Sequence, residues 1–579
     1  MTFKNTFAIL SISIMATACS VESQKITTPI GKFDNNVKGY IVEDMPQFTS
    51  ETMQRELNKS IKNPALKWQH LDLDVDKMFG VSADTAYLTF GLQQTKEIVV
   101  AVIDSGVDIE HEDLKEVMWT NKNEIPDNGI DDDNNGYIDD IYGWNFIGGK
   151  DGSHINEETL EQTRIYKNLL TKLQNGELLS DEEGALYLEV KKDVEENFKH
   201  YNDQYTAAKK DQKTVVTYLD ILKLKLGIQN IDTREKIEAI ESKDPKIIKI
   251  KTELLDIWDK YWRGFIGIAR AIDASAYYAN VGYNINWDAR ARIVGDDPSD
   301  FSDTNYGNND VTGPDASHGT HVSGIIAAKR DNEIGIDGIA GNVKIMALRA
   351  VPNGDERDKD IALAVRYAAD NGANIINMSF GKKYSPYKSE VDAAFKYAAS
   401  KGVLLVHAAG NSALNIDGGT QSFPNHYIKD GSGVLIANQL PNWMEIGAST
   451  KSADLNLIAS FSNYGNEAVT LFSPGHKIYS TTPNNQYEAY SGTSMATPVA
   501  AGVAALLMSE FPTMTAKEAM DILVYTVTRQ DELNVRAPSE TASRPDFRLL
   551  TPFVDFSTAD GIINIFSAVK LAKKLATNK

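Results

Sequence analysis

Four short runs of almost uninterrupted apolar residues constrain the fold of this chain most. They lie in EIVVAVIDSGVD, NVKIMALRA, GANIINMSFG and GVLLVHAAGN, which begin at residues 97, 342, 372 and 402. Strands that are apolar at nearly every position are buried on both faces, as in parallel sheets. A helical stretch at residues 361–369 separates two of the runs. This alternation of strand and helix predicts an α/β fold with a doubly wound, mostly parallel sheet.

Polar residues follow three of these predicted strands at their carboxyl ends. Asp104 follows the first run, Ser379 the third and Asn411 the fourth. In open α/β sheets, ligands bind outside the carboxyl ends of the strands. The sequence therefore predicts a functional site at this edge of the sheet.

The stretch at residues 151–295 differs in character from the rest, with less glycine and more charge. Apolar residues recur there at the helical period, and Ser180 with Glu183 forms a capping box before them. Asp244-Pro245 opens a second amphipathic helix. We predict a large α-helical insertion over residues 151–295, and its role as a brace or as a lid or docking arm stays open. The host domain then has two parts, residues 61–150 and 296–579.

Histidine and serine residues lie near the starts of two further predicted helices. DASHGTHVSGIIAA carries His318 and His321, and SGTSMATPVAAGVAALL carries Ser494. The small residues after Pro498 predict a buried helix with this proline in its first turn, so that Ser494 lies just before the helix. A serine nucleophile needs a base, and the base needs an orienting carboxylate such as Asp104. Residue chemistry alone does not choose between the two histidines.

Three motifs, VIDSGVD, HGTHVSG and GTSMATPVAAG, together resemble the signatures of the subtilisin-like serine peptidases. They occur in the order Asp, His, Ser, which is the order of that family. The resemblance implies a subtilisin-like fold in which Ser494 is the nucleophile, His318 the general base and Asp104 the residue that orients it. It also implies that Asn411, in HAAGN, forms the oxyanion hole with the N–H of Ser494.

The same resemblance implies which segments bind substrate. They are Ser379, Phe380 and Gly381 on one side, and Ala408, Ala409 and Gly410 on the other. The small residues of the second segment indicate an open apolar pocket. We therefore expect a serine endopeptidase that hydrolyses proteins or peptides through an acyl-enzyme and needs no cofactor for its chemistry.

Two other functions remain to be weighed against this one. A pseudo-protease that only binds a partner would not need a complete set of catalytic residues, and this chain has that set. An esterase of the α/β-hydrolase type would carry Gly-x-Ser-x-Gly, whereas the residues around Ser494 are GTSMA.

The acidic stretch DNGIDDDNNGYIDD, residues 127–140, predicts a structural calcium ion. Oxygen ligands at alternate positions before a glycine, here Gly136, are typical of calcium loops. The twelfth position of the loop is Tyr142, so the stretch departs from the EF-hand pattern, and a solvated acidic turn is the alternative. The predicted ligands are Asp131, Asp133, Asn135 and Asp139.

The N-terminus predicts export. Residues 1–18 have Lys4, an apolar stretch and Ala16-Thr17-Ala18, which is the layout of a secretory signal peptide. Cys19, the sole cysteine, follows at once and resembles the acylated cysteine of bacterial lipoproteins. We expect a protein of the cell envelope attached to a membrane by a lipid on Cys19, with residues 19–60 as a tether or short pro-segment. A plain Ala-x-Ala cleavage site followed by a chance cysteine is the alternative.

The charge of the chain excludes one class of partner. The formal net charge is −21, and a nucleic-acid-binding surface needs an excess of basic residues. We expect no nucleic-acid partner, and the sequence specifies no oligomeric state.

Overall fold

A nine-stranded sheet forms the centre of the protein, described here from a computed structural model. The structure describes residues 67–228, 231–261, 264–419, 422–429, 435–436, 440–539 and 549–577. The predicted signal peptide (residues 1–18) and the whole predicted tether (residues 19–60), including Cys19, lie outside these residues. The described strands are β1 (Ile98–Asp104), β2 (Gly143–Asn145), β3 (Val343–Arg349), β4 (Ile375–Met378), β5 (Leu404–Ala408), β6 (Ile428–Lys429), β7 (Leu435–Ile436), β8 (Trp443–Ser449), β9 (Leu471–Pro474), β10 (Ile478–Thr482), β11 (Gln486–Tyr490), β12 (Thr528–Arg529), β13 (Asn534–Arg536), β14 (Leu550–Pro552) and β15 (Gly561–Ile562).

The strand order of this sheet is β12-β15-β9-β8-β5-β4-β1-β3-β2. Neighbouring strands pair in parallel except β12 and β15, which pair antiparallel. Three separate hairpins join β10 to β11, β13 to β14 and β6 to β7. The predicted α/β class with a mostly parallel sheet is confirmed.

Helices cover both faces of the sheet. The described α-helices, including those of the insertion, are α1 (Leu73–Asp76), α2 (Ala83–Phe90), α3 (Glu161–Gln174), α4 (Asp181–Leu226), α5 (Arg234–Glu238), α6 (Pro245–Lys260), α7 (Phe265–Tyr277), α8 (Arg290–Ile293), α9 (Ser317–Ala327), α10 (Asp358–Asp370), α11 (Lys388–Ser400), α12 (Thr493–Glu510), α13 (Ala516–Tyr525) and α14 (Ile565–Thr577). Val100 and Val102 of β1 join a core with α9 and α12, whereas Ala101 and Ile103 join a core with α10 and α11. Successive side chains of a strand point to opposite faces, so an uninterrupted apolar run fills both layers.

The buried helix α12 begins earlier than the sequence predicts. It starts at Thr493, so Pro498 is its sixth residue rather than part of its first turn, and that prediction was wrong. Proline within a helix cannot donate to the carbonyl four residues before it. That carbonyl belongs to Ser494, and it accepts a hydrogen bond from the Ser379 hydroxyl at 3.0 Å instead. A side chain from the end of β4 thus replaces the missing helical hydrogen bond.

The helices α3 to α8 lie within the predicted insertion. The capping box of Ser180 and Glu183 begins α4, which has 46 residues, and Asp244 caps α6 at Pro245. Tyr201 of α4 stacks on Tyr278 directly after α7, with ring centroids 4.5 Å apart. The apolar residues of helices α3 to α7 form two clusters. One lies near the root of the insertion, where the chain leaves and re-enters the sheet domain, and includes Ile165 and Val194; the other lies in the distal part, between Ala208 and Ile272.

Buried ion pairs join the root of the insertion to the sheet domain. Arg290 contacts both Asp296 and Asp360 at 2.6–2.9 Å, and all three side chains are buried. Glu158 pairs with Arg357 at 2.8 Å. Removing one partner of a buried pair leaves an uncompensated charge, so these contacts fix the root in place.

Among the described residues, no helix combines the length and the apolar composition that crossing a bilayer requires.

We expect the distal part of the insertion to be dispensable for folding. Replacing residues 206–273 with a short glycine-serine linker removes the distal cluster and keeps the root. Because the sheet domain keeps its ion pairs, thermal denaturation followed by circular dichroism should show a Tm within about 3 °C of the parent.

The matched variant is Arg290→Met in the full chain. It leaves Asp360 buried without its partner and should cost about 3–5 kcal/mol of unfolding free energy. If the linker variant and Arg290→Met lost the same amount of unfolding free energy, the distal part would not be separable from the root.

Candidate active site

Asp104 and His318 meet where β1 ends and α9 begins. His318 is the second residue of α9, and its Nδ1 lies 2.7 Å from Oδ1 of the buried Asp104. The helix start approaches the loop after β1 closely, because a Cβ at Gly319 would lie 2.1 Å from the carbonyl oxygen of Gly106. Glycine at this position therefore permits the pair to form.

The negative charge of Asp104 affects the pKa of the His318 imidazole. Burial acts to lower the pKa of His318, but the charge and hydrogen bond of Asp104 outweigh it and raise the pKa above the usual value. An imidazole oriented by a carboxylate, with its second nitrogen facing a cleft, has the arrangement of a general base.

His321 has a different environment. Its side chain is fully buried, its Nε2 lies 3.1 Å from the carbonyl oxygen of Glu488, and its ring stacks on Tyr490. Burial lowers the pKa of His321 to about 4. The geometry therefore favours His318 as the base, which residue chemistry alone did not decide.

Ser494 occupies the first turn of α12, as its second residue. Its Oγ donates to the carbonyl oxygen of Ser379 at 3.2 Å. The backbone N–H groups in the first turn of a helix have no intrahelical acceptor, so the N–H of Ser494 is available to an oxyanion.

Asn411 lies beside this N–H. Its Oδ1 accepts hydrogen bonds from the N–H and the hydroxyl of Thr493, at 2.8 and 3.0 Å. These two bonds fix the amide so that its nitrogen is the group left to donate into the cleft. The arrangement fits the oxyanion role that the resemblance implies for Asn411.

A cavity of about 730 Å³ extends from Ser494. Of the six predicted substrate-binding residues, it contains Ser379, Phe380, Gly381, Ala408 and Gly410. Ala409 does not line this cavity and instead packs in the core, fully buried.

The insertion contributes to this cavity as well. Leu160, Gln162 and Glu189 line it together with Tyr384, whose hydroxyl donates to Glu189 at 2.6 Å. These residues were not predicted from the sequence, because no local pattern shows that an amphipathic helix packs beside a distant strand end. The insertion thus forms part of the cleft wall.

Only one of the four predicted calcium ligands, Asp133, lies in a cluster of carboxylates. Asp133 lies with Glu124 and Asp140, and oxygen atoms of the three lie within 4.8 Å of one another. Asp131 accepts the N–H groups of Asn135 and Gly136 instead.

The other two predicted ligands also hold the loop together. Asp139 accepts the N–H groups of Asn128 and Gly129, and the Asn135 amide donates to Asp140 at 2.9 Å. Glu124 and Asp140 were missed, because the alternating pattern favoured residues closer to Gly136.

Comparison with known proteins identifies the family. The model of the subtilase family matches residues 95–542, which is more than half of the chain. The chain belongs to the subtilase family. The predicted resemblance to the subtilisin-like peptidases is thereby confirmed.

Several relatives of this subtilase are known. It is 40% identical over 212 residues to a thermophilic serine proteinase of Bacillus sp. (strain AK1), across 36% of this chain and 46% of that protein. It is 35% identical to subtilisin DY of Bacillus licheniformis, across 36% of this chain and 70% of that protein. It is 34% identical to a cell wall-associated protease of Bacillus subtilis (strain 168), across 50% of this chain and 30% of that protein. The chain thus spans less than half of the length of two of these three relatives.

A solved structure matches part of the chain too. The crystal structure of a cold adapted subtilisin-like serine proteinase is 28% identical, covers 45% of this chain and 79% of its own, and has a TM-score of 0.33.

We expect His318 and His321 to differ in their effect on the reactivity of Ser494. A fluorophosphonate labels a serine only when a base activates it. His318→Ala should abolish labelling of Ser494, whereas His321→Phe should keep most of it, since phenylalanine preserves the stack on Tyr490. Labelling would be measured by intact mass spectrometry on variants whose circular dichroism spectra match the parent. Labelling lost in His321→Phe and kept in His318→Ala would reverse the assignment.

Proposed function

We propose that this subtilase is a serine endopeptidase that hydrolyses peptide bonds in proteins through an acyl-enzyme. The observation that carries the proposal is the 2.7 Å contact of His318 with Asp104 at the same sheet edge as Ser494 and Asn411. The family match and the names of the relatives support the same reaction.

Each residue has a defined role in the proposed reaction. Ser494 Oγ turns from the Ser379 carbonyl toward His318 Nε2, gives up its proton there and bonds to the substrate carbonyl carbon. The N–H of Ser494 and the amide of Asn411 bind the developing oxyanion. His318 then protonates the leaving amine, and a water molecule hydrolyses the acyl-enzyme by the same route in reverse.

The cleft suits an extended peptide. The peptide would lie along Ser379–Gly381, and the side chain preceding the scissile bond would enter the cavity beside Ala408 and Gly410, which favours apolar residues. The buried ion pairs of the insertion root support a fixed wall or brace at this cavity over a lid that opens. We therefore assign the insertion a role in limiting which substrates reach Ser494.

The proposed location is the cell envelope. Export by residues 1–18 and lipid attachment at Cys19 rest on the sequence pattern, because both lie outside the described residues. One relative is described as cell wall-associated, which agrees with export.

We also propose a structural calcium ion in the acidic loop, held by Glu124, Asp133 and Asp140. Asn121 donates to both Asp133 and Asp140, at 2.9 and 2.8 Å, so the carboxylates are held close despite their like charges. Burial raises the pKa of Asp140 to about 6. Carboxylate oxygens gathered in this way fit the donor preference of Ca²⁺.

The first test replaces the proposed nucleophile. Ser494→Ala removes one hydroxyl and should reduce kcat for a chromogenic peptide by about 10⁶-fold, as in the subtilisin triad that gives this figure. Asn411→Ala removes one oxyanion donor and should reduce kcat by about 10²–10³-fold, a magnitude also taken from subtilisin.

Progress curves combined with active-site titration measure kcat for both variants and for the parent. Retention of more than a few per cent of the activity by Ser494→Ala would exclude it as the nucleophile. A parent protein that binds peptides without cleaving them would favour the pseudo-protease, and one that cleaves esters but not amides would favour the esterase.

The second test removes the cation. Because an ion bound only to the folded state stabilises it by mass action, a chelator should lower the Tm of the parent. The double variant Asp133→Asn with Asp140→Asn should lose this response, whereas Asp131→Asn should keep it, since Asp131 lies outside the group of three carboxylates. Differential scanning calorimetry with and without calcium measures the response. An equal chelator effect in all three proteins would place any ion elsewhere.

A further inference from the structure

A second cavity, of about 350 Å³, also adjoins the Ser379–Gly381 segment. It is lined by Asp104 and His318 and, in the loop after β3, by Gly354 and Glu356. The two cavities thus share the Ser379–Gly381 segment as a common wall.

An extended peptide on this shared wall would fill both cavities in turn. Successive side chains of an extended strand point to opposite sides. When the residue before the scissile bond enters the cavity beside Ala408 and Gly410, the residue preceding it points into the cavity beside His318 and Glu356. The second cavity is therefore the site for the penultimate residue on the acyl side of the scissile bond.

Glu356 brings a carboxyl group with one unpartnered oxygen to the lining of this cavity. The residue is 2% exposed, and its Oε1 has no hydrogen-bond partner within the described part of the chain. Burial raises the pKa of Glu356 to about 8, so the group is largely protonated near neutral pH until a cation beside it stabilises the ionised form. Its backbone carbonyl accepts from Arg164 at 3.0 Å and from Lys382 at 2.9 Å, so the residue is held in position.

The cations around Glu356 are already paired with other carboxylates. Lys382 contacts Glu161 and Asp358, both at 2.8 Å. Arg164 pairs with Glu161, and Arg357 pairs with Glu158. The local acidic side chains are Glu158, Glu161, Asp355, Glu356 and Asp358, so they outnumber these three cations by two.

The remaining charged groups that line the cavity are Arg349 and Asp315. The guanidinium of Arg349 donates to the Asn145 side chain at 3.0 Å and to the Ile155 carbonyl at 2.6 Å, its Nε has no partner in the described residues, and burial lowers its pKa to about 10. Asp315 is exposed at the rim. Neither forms an ion pair with Glu356 among the described residues, so the carboxylate is free to bind a ligand.

We propose that Glu356 binds a cationic group of the substrate in the cavity beside His318 and so determines specificity at the penultimate position. The inference rests on the proposed peptidase function. The ligand chemistry is an ammonium or guanidinium, which gives a buried carboxylate a charge-assisted hydrogen bond. A lysine or arginine side chain supplies it within a long substrate, and a free α-amino group supplies it when the chain begins at that residue.

Matched peptides test the proposal. They keep one apolar residue before the scissile bond and carry lysine, arginine, norleucine or glutamate in the preceding position, with four further residues upstream and an acetylated N-terminus. We expect kcat/KM for lysine or arginine to exceed that for norleucine by about tenfold or more, the effect of one hydrogen bond to a charged group. A second pair begins at the penultimate residue, with a free or an acetylated amine, and tests the α-amino source.

Glu356→Gln should bring the lysine-to-norleucine ratio close to one while the norleucine peptide is still cleaved. The matched control is Asp315→Asn, which removes an exposed carboxylate from the same cavity and should keep most of the ratio. A role of Glu356 in stability alone would reduce all rates in parallel and leave the ratio unchanged.

The outcomes separate this inference from the peptidase proposal. The role of Glu356 is overturned if the parent protein cleaves the lysine and norleucine peptides with equal kcat/KM. It is also overturned if Glu356→Gln keeps the preference for lysine. Either result leaves the peptidase function intact. Absence of cleavage and of fluorophosphonate labelling in the parent overturns the peptidase function itself. If Glu356→Gln does not fold, the ratios of the parent protein still decide, because a preference for the cationic peptides is required.

Discussion

The parallel pairing of β1, β4 and β5 is the constraint on which the site depends. β4 lies between the other two strands, with Ile103 of β1 opposite Met378, and Met378 opposite His407 of β5. Because all three strands run in the same direction, the residues after them emerge at one edge of the sheet. Asp104, Ser379 and Asn411 are therefore neighbours although more than 300 residues separate the first from the last. The helices α9 and α12 need only begin at this edge to complete the group.

Pro498 links the helix of the nucleophile to this edge. By occupying the sixth position of α12, it leaves the Ser494 carbonyl without a helical donor, and the Ser379 hydroxyl takes that place. Ser494 Oγ in turn donates to the Ser379 carbonyl. Two hydrogen bonds in opposite directions thus join the nucleophile to the segment along which the peptide would lie. A residue with an N–H at position 498 could donate to the same carbonyl and would compete with the Ser379 hydroxyl for it.

The parts of this structure that the sequence predicts are those that local patterns determine. Uninterrupted apolar runs mark β1, β3, β4 and β5, and a capping box marks the start of α4, since burial and capping each impose a residue pattern. β2 has three residues and no pattern of its own, and its pairing with β3 is purely tertiary. The same holds for Leu160 and Glu189 in the cleft wall, and for the charge surplus around Glu356. These features depend on which distant segments meet, and a single chain carries no local sign of that.

The two apolar clusters of the insertion have a consequence for how such an enzyme diverges. The helix α4 has 46 residues and is therefore about 70 Å long, and its two ends belong to separate cores. Substitutions in the distal core alter what the tip presents at a distance from the cleft and leave the ion-paired root untouched. Substitutions at the root alter the cleft and leave the tip untouched. One continuous helix thus lets substitutions at its far end and in the cleft wall accumulate independently, because its two ends belong to separate cores.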